Sequence, residues 1–381
     1  AAEIAERLGL VETQANARIT VATARYQAGD PAGLVELYEI HQFCQTHQLL
    51  ALPRAAQNLA YAVREEGDWI RSGEIIAACP ALARGEALAT GGSGEAMRAY
   101  CEGDFGRLLA VADAFVDTPA GRWDMQVRGI RACLRVLRDE PVPGARARPQ
   151  TGEARAPGGS DEAIDAGRGG DPAGRAGEAT PIRRNAPMVD DVTDALETAR
   201  RSGFHRLHWT MLGLGALCRA LQGRRAEATE LIEELATSWS AVPALASGEW
   251  IPAAAYAAAL SGRPAAARVR GMLDRVTHRT PWVEAAASTV AAAMAADDGD
   301  HARAGRLYAG AAEIYAGIPD ATDRMLAMAL AAGELHRAGE RTEAELTLAE
   351  VRTFALRNRA PGLLRLTQNP PAPGTTPVLA S

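Results

Sequence analysis

A chain of 381 residues with a formal net charge of −6, its acids and bases interspersed, carries no field large enough to gather nucleic acid or an anionic membrane. Nearly half of it is hydrophobic (47%) but only 5% is aromatic, and alanine recurs throughout, which suits closely packed helices better than sheets. All 41 basic residues are arginine, so chemistry that needs a lysine amine is excluded: a Walker phosphate clamp, a Schiff base, a pyridoxal anchor.

Alanine, arginine and glycine are inflated together, as a GC-rich coding sequence would make them. Five dispersed cysteines, Cys44, Cys79, Cys101, Cys133 and Cys218, lack CxxC spacing and argue for a reducing compartment rather than a disulfide framework. Glu3, Glu6 and Arg7 stand where a secretory leader needs an apolar core, and no alanine-rich run reaches the width of a bilayer. The chain is expected to be cytoplasmic, and its start on Ala1 without a methionine to reflect either processing of an initiator or, on the favoured reading, a cut from a longer polypeptide.

From the N-terminus, Ala2 to Leu10 has the rhythm and the Leu-Gly-Leu ending of the first half of a helix-turn-helix. The next residues, Val11 to Arg18, continue into a repeat helix, so the segment reads as the end of a preceding hairpin. A phrase then recurs: Gln27-Ala28-Gly29-Asp30, Glu66-Gly67-Asp68-Trp69, Glu102-Gly103-Asp104-Phe105, Gln222-Gly223-Arg224, Ser261-Gly262-Arg263, Asp298-Gly299-Asp300 and Ala338-Gly339-Glu340. Its glycines lie 38 and 36 residues apart, then, after a gap, 39, 37 and 40 apart. Each phrase closes one amphipathic stretch and opens another. Glycine supplies the left-handed backbone of a reversing helix, and an aspartate after it can cap the next one. Small residues meet where two helices of a hairpin approach: Ala60 with Ser72, Ala292 with Ala304, Ala332 with Ala344; the third unit departs by pairing Ala96 with Leu108. Ile76, Tyr308 and Leu348 follow four positions later on the same helical face.

From 141 to 187 the pattern stops in a glycine-, proline-, alanine- and arginine-rich stretch that cannot bury enough apolar surface to offset its ordering entropy. A disordered insert is expected there, inside a hairpin with helices near 124–138 and 188–202. The predicted division is repeats over 1–140, insert over 141–187, repeats over 188–358, and a disordered tail over 359–381, which holds Pro370-Pro371-Ala372-Pro373-Gly374.

The stretch from Asn58 to Ser72, with small Ala60, the turn Gly67-Asp68-Trp69 and small Ser72, resembles the tetratricopeptide repeat. The family's terminal proline is missing, and the period exceeds the family's length of about 34 residues. The likeness covers roughly 10–138 and 188–358 and implies an all-α, right-handed superhelical solenoid. Together with Thr280-Pro281-Trp282-Val283-Glu284-Ala285-Ala286 and the run from Gly299 to Tyr308, the Gly-Asp-Trp turn is similar to the C-terminal repeat region of bacterial signalling proteins. In those an AAA-type ATPase precedes the repeats, often with a class III nucleotidyl cyclase or a DNA-binding regulator.

Candidate sites have plainer readings. His41, Cys44 and His47 fall at three-residue steps but rise along one helix without a fourth ligand, and His205 with His208 is a similar case. Gly91-Gly92-Ser93-Gly94 is expected as a loop before a helix, without the Walker spacing. Asp190-Asp191 and Asp297-Asp298 are expected to cap and to be solvated rather than to act as acid and base. Trp69, Trp123, Trp209, Trp239, Trp250 and Trp282 are expected as packing anchors. No catalytic, cofactor or metal residue is assigned. The expectation is a non-catalytic scaffold whose first helices form a concave wall for a protein or peptide segment, such as an ATPase or cyclase module of the same polypeptide. Direct binding to nucleic acid or membrane is not expected. The alternative is the effector-sensing half of a DNA-binding transcriptional regulator.

Overall fold

The computed structural model describes residues 2–83, 90–118, 124–140, 191–203, 205–239, 250–276 and 278–368; the predicted insert, Trp123, Asp190 and everything beyond 368 lie outside them. The described chain is all-helical. A short α1 (Ala2–Arg7) precedes two hairpins, α2 (Val11–Gln27) with α3 (Ala32–Thr46) and α4 (Leu52–Glu65) with α5 (Trp69–Ala77), then a single turn, α6 (Pro80–Ala83). Next come α7 (Thr90–Cys101) with α8 (Phe105–Val116), and α9 (Met125–Leu137) with α10 (Asp191–Ser202). After these, α11 (His205–Leu221) pairs with α12 (Arg225–Trp239), and α13 (Ile251–Ser261) with α14 (Arg263–Leu273). The last hairpins are α15 (Pro281–Asp297) with α16 (His301–Gly317) and α17 (Ala321–Ala338) with α18 (Arg341–Asn358), followed by α19 (Pro361–Gln368).

The local signals have the expected geometry. All seven turn glycines of the recurring phrase have positive φ, between +66° at Gly103 and +101° at Gly262. The side chains of Asp68, Asp104 and Asp300 accept from the backbone N–H groups of Arg71, Arg107 and Arg303 at 2.9–3.0 Å, capping α5, α8 and α16. The small pairs are buried, and the Ser72 hydroxyl donates to the Ala60 carbonyl at 2.8 Å.

One expectation fails at the C-terminal end. Residues 361–368, assigned to a disordered tail, form α19, which packs on α17, α18 and α9 with Leu363 fully buried. Pro361 does not break structure there. It occupies the first helical position, where its fixed φ and missing N–H start a helix, and Leu363, Leu364 and Leu366 supply an apolar side.

The larger departure is that the array meets itself. α17 packs on α7 and α19 on α9. The Tyr100 hydroxyl donates to Asp323 Oδ1 at 3.0 Å, and the Thr322 hydroxyl donates to the Tyr100 carbonyl. The Phe105 N–H donates to Asn358 Oδ1 at 2.9 Å, Arg357 donates to the Gly103 carbonyl at 3.1 Å, and Phe105 and Phe354 meet edge to face. The α4–α5 turn closes on the start of α15 in the same way. Glu66 lies 2.7 Å from His278 Nε2, the Trp282 indole donates to the Arg64 carbonyl at 3.3 Å, and Trp69 and Trp282 are edge to face at 6.1 Å.

Gly103 sits in this closure with φ +66°, and a Cβ on it would come within 2.5 Å of the Phe354 ring; Gly299 has φ +81° but open space around it. Gly299→Ala is expected to cost about 1 kcal/mol from backbone strain alone, and Gly103→Ala about 2 kcal/mol or more because the ring must also move. Urea unfolding of the two variants checks the ordering; equal losses would show that Phe354 is not packed on the turn.

Candidate functional site

The first helices α7, α9, α11, α13, α15 and α17, with Trp69 of α5, line a small cavity of about 20 Å3. At this point the wall expected to receive a peptide faces the chain's own side chains, and among the described residues the cavity has room for a single water. Its polar lining is Asp320, Asp323, Tyr100 and Gln126, and its aromatic lining is Trp69, Tyr100 and Trp282.

Asp320 and Asp323 come together because they are the cap and the third residue of one helix. The Asp320 side chain accepts from the Asp323 N–H at 3.0 Å, an ordinary helix start in an unusual place, since Asp320 is 1% exposed and Asp323 5%. Tyr100 reaches Asp323 from α7, and the Tyr256 hydroxyl of α13 donates to the Asp323 carbonyl at 2.7 Å. Burial pushes the Asp323 carboxyl up to about 6, opposed by hydrogen bonds from Tyr100 and Asp320. Asp320 is pushed well above the usual carboxylate range, first by burial and then by the charge of Asp323. Burial also raises Tyr100, Tyr256 and Cys101, which leaves the thiol protonated and inert. The arrangement can hold a proton.

The residues singled out in the sequence are not gathered here. His41 is half-buried, Cys44 is buried, and His47 is exposed against the Phe43 ring at 4.5 Å; no group of three potential metal ligands forms among the described residues. His208 Nε2 meets Glu234 at 2.9 Å, and Arg200 meets the same carboxylate. Gly91 to Gly94 lie inside the first turns of α7 rather than in a loop before it. Asp191, expected in a solvated start, is buried in ion pairs with Arg128 at 2.9 Å and with Arg131. The physical reason is that α9 turns two arginines inward, so a carboxylate must follow them. Asp297 and Asp298 end α15 in solvent, Asp298 pairing with Arg263. Trp209, Trp239, Trp250 and Trp282 are buried anchors, and Trp69 is half-buried at the cavity.

Sequence reasoning missed Asp320 and Asp323. The Asp-Ala-Thr-Asp start carries a visible capping signal, but nothing nearby in the chain shows that Tyr100, 223 residues away, will cover it. Comparison with known proteins finds no matching family model and no matching curated protein. No helix among the described residues is long and apolar enough to cross a membrane.

Asn358 carries the second polar joint of the closure, accepting from the Phe105 N–H and donating to the Phe354 carbonyl at 3.1 Å. Asn358→Ala leaves a buried N–H without its acceptor and is expected to cost about 1–3 kcal/mol. Thermal unfolding of the variant checks this, and an unchanged midpoint would remove Asn358 from the closure's support.

Proposed function

We propose that this chain is a non-catalytic protein-interaction scaffold, a right-handed superhelical array of tetratricopeptide-like hairpins that forms the regulatory part of a cytoplasmic multidomain signalling protein carrying an ATPase or nucleotidyl cyclase. The observation that carries this is the recurrence of helical hairpins from α2 to α18, seven of them turning on a left-handed glycine, with aspartate caps on α5, α8 and α16 and buried small pairs at Ala60–Ser72, Ala292–Ala304 and Ala332–Ala344. Such stacking builds a large surface from nearest-neighbour contacts and lets curvature change at low cost. Binding at one end of the array can then be felt along it.

The cavity lined by the first helices holds no more than a water, so partner contacts are sought on the outside. Exposed large apolar side chains concentrate at the N-terminal edge: Leu8 is 66% exposed, Leu10 49%, and Leu50 89%. The Leu50 N–H is held to Glu12 at 3.1 Å, which brings this turn beside the start of α2. The occupant is the neighbouring catalytic module of the same polypeptide, whose docking would remove these groups from water.

Translating the coding DNA upstream of Ala1 identifies that module, and calorimetric titration of the separately expressed module with the 381-residue chain measures its binding. Binding at micromolar strength or better is expected, weakened at least about tenfold by Leu10→Ser with Leu50→Ser at unchanged thermal stability. An upstream frame that encodes neither an ATPase nor a cyclase, or a module that does not bind, would sink the reading. An adjoining helix-turn-helix would favour the effector-sensing half of a transcriptional regulator instead.

A further inference from the structure

The closure between α7 and α17 is built around two buried carboxyl groups on one helical turn. Asp320 and Asp323 share the first turn of α17, where the Asp320 carboxyl accepts from the Asp323 N–H at 3.0 Å and both side chains are buried, at 1% and 5% exposed. Two carboxyl groups buried this near each other without a bonded cation repel when both are ionised, which favours a proton on one of them. Among the described residues no arginine or histidine bonds to either one; the Asp323 side chain takes a neutral phenol and the pair faces Trp69, Gln126 and Trp282.

The other titratable groups around the pair do not supply a counter-charge. They are Tyr100 and Cys101 from α7, Cys133 from α9, Tyr256 from α13 and Tyr315 from α16, all pushed upward and all neutral at physiological pH. α5, α11 and α15 offer Trp69, Leu214 and Trp282, and Arg64 and Glu102 act on Cys101. On α17 itself, Arg324 is engaged by Glu350, and Glu334, three turns further on, by His301 at 2.8 Å.

We propose that this closure is a proton-operated latch: one proton carried by the buried Asp320–Asp323 pair keeps α17 seated on α7, and its release to solvent unseats α17 and widens the cavity between the first helices. The balance is one closed protonated form against one open form plus a free proton, and it sets the sign. A carboxyl raised in the closed state favours closure while it is protonated, and that advantage is lost as pH climbs from the ordinary carboxylate range through about 6, the value to which Asp323 is pushed. Over the range in which the closed form still holds its proton and the open form has lost it, opening becomes about tenfold easier per pH unit. The latch does not depend on the scaffold reading, and a scaffold without a partner would still show it.

The test is hydrogen exchange of the intact chain between pH 5 and pH 7.5, corrected for the intrinsic rate, read by mass spectrometry. Corrected exchange at Thr90–Cys101 and the first two turns of Ala321–Ala338 is expected to rise at least about tenfold, while α2 and α3 stay unchanged. Asp323→Asn keeps an acceptor for Tyr100 but cannot ionise, and should remove the pH dependence; Asp320→Asn serves the same purpose if the first variant does not fold. Three results would each overturn the latch: exchange equal at both pH values, a pH dependence retained in either variant, or one confined to the far half of α17, where His301 meets Glu334.

Discussion

Everything in this fold depends on helices that are buried on all sides. α13 is buried from Ile251 through Ala258, and α17 from Thr322 through Leu335 without an exposed residue between them. A helix with no polar face has no solvent side, so it must be surrounded. Alanine makes that possible, because backbones can then approach from every direction without long side chains between them. Glycines take the tightest places: a Cβ on Gly129 would lie 2.5 Å from Leu214, and one on Gly213 would lie 2.8 Å from the Trp250 carbonyl. The first helices can therefore converge on a small cavity and bring α17 back onto α7. The alanine excess thus has a structural use, whatever its genomic origin.

The hairpin that carries the insert shows how the array is held where its usual turn is missing. α9 and α10 have no short Gly-Asp connection between them. Arg128, 6% exposed, pairs with Asp191 and Asp194 at 2.9 Å, Arg131 pairs with Asp191, and Arg135 reaches Asp113 of α8 at 2.7 Å. Loop-closure entropy grows only with the logarithm of length, so a long connection is a modest penalty once such a clamp forms. Buried charges contribute little net stability to a fold, yet removing one partner is costly, which ties this hairpin to a single register.

How much of this was legible in the sequence divides along the distance between partners. The turns were readable because Gly67, Asp68 and Ser72 signal within one hairpin, and their geometry follows from φ and capping alone. α19 was misread because Pro361 can end or begin a helix, and only the buried site beneath Leu363 decides between them. The closure was not readable at all. Tyr100 and Asp323, Phe105 and Asn358, and Trp69 and Trp282 are each more than 200 residues apart, and every one of them has an ordinary local role. Asp320 and Asp323 still look like cap residues in the structure, since they are cap residues. Their site exists because another helix arrives over them.

That arrival is also where the fold gives up stability. Elsewhere the buried charges are paired, as in the Arg128 and Arg131 clamp on Asp191, whereas α7 and α17 meet over two acids that burial disfavours when charged. A pair of leucines would fill the same place without desolvating a carboxylate, and buried ionisable pairs replaced by apolar groups often leave a protein more stable. The joint is therefore weaker at neutral pH than its surroundings need it to be. A closed array that opens anywhere opens first at its weakest joint, and here that joint separates one pair of helices while leaving the neighbour stacking on either side intact. The acids thus favour opening at the α7–α17 seam, beside the cavity that the first helices line.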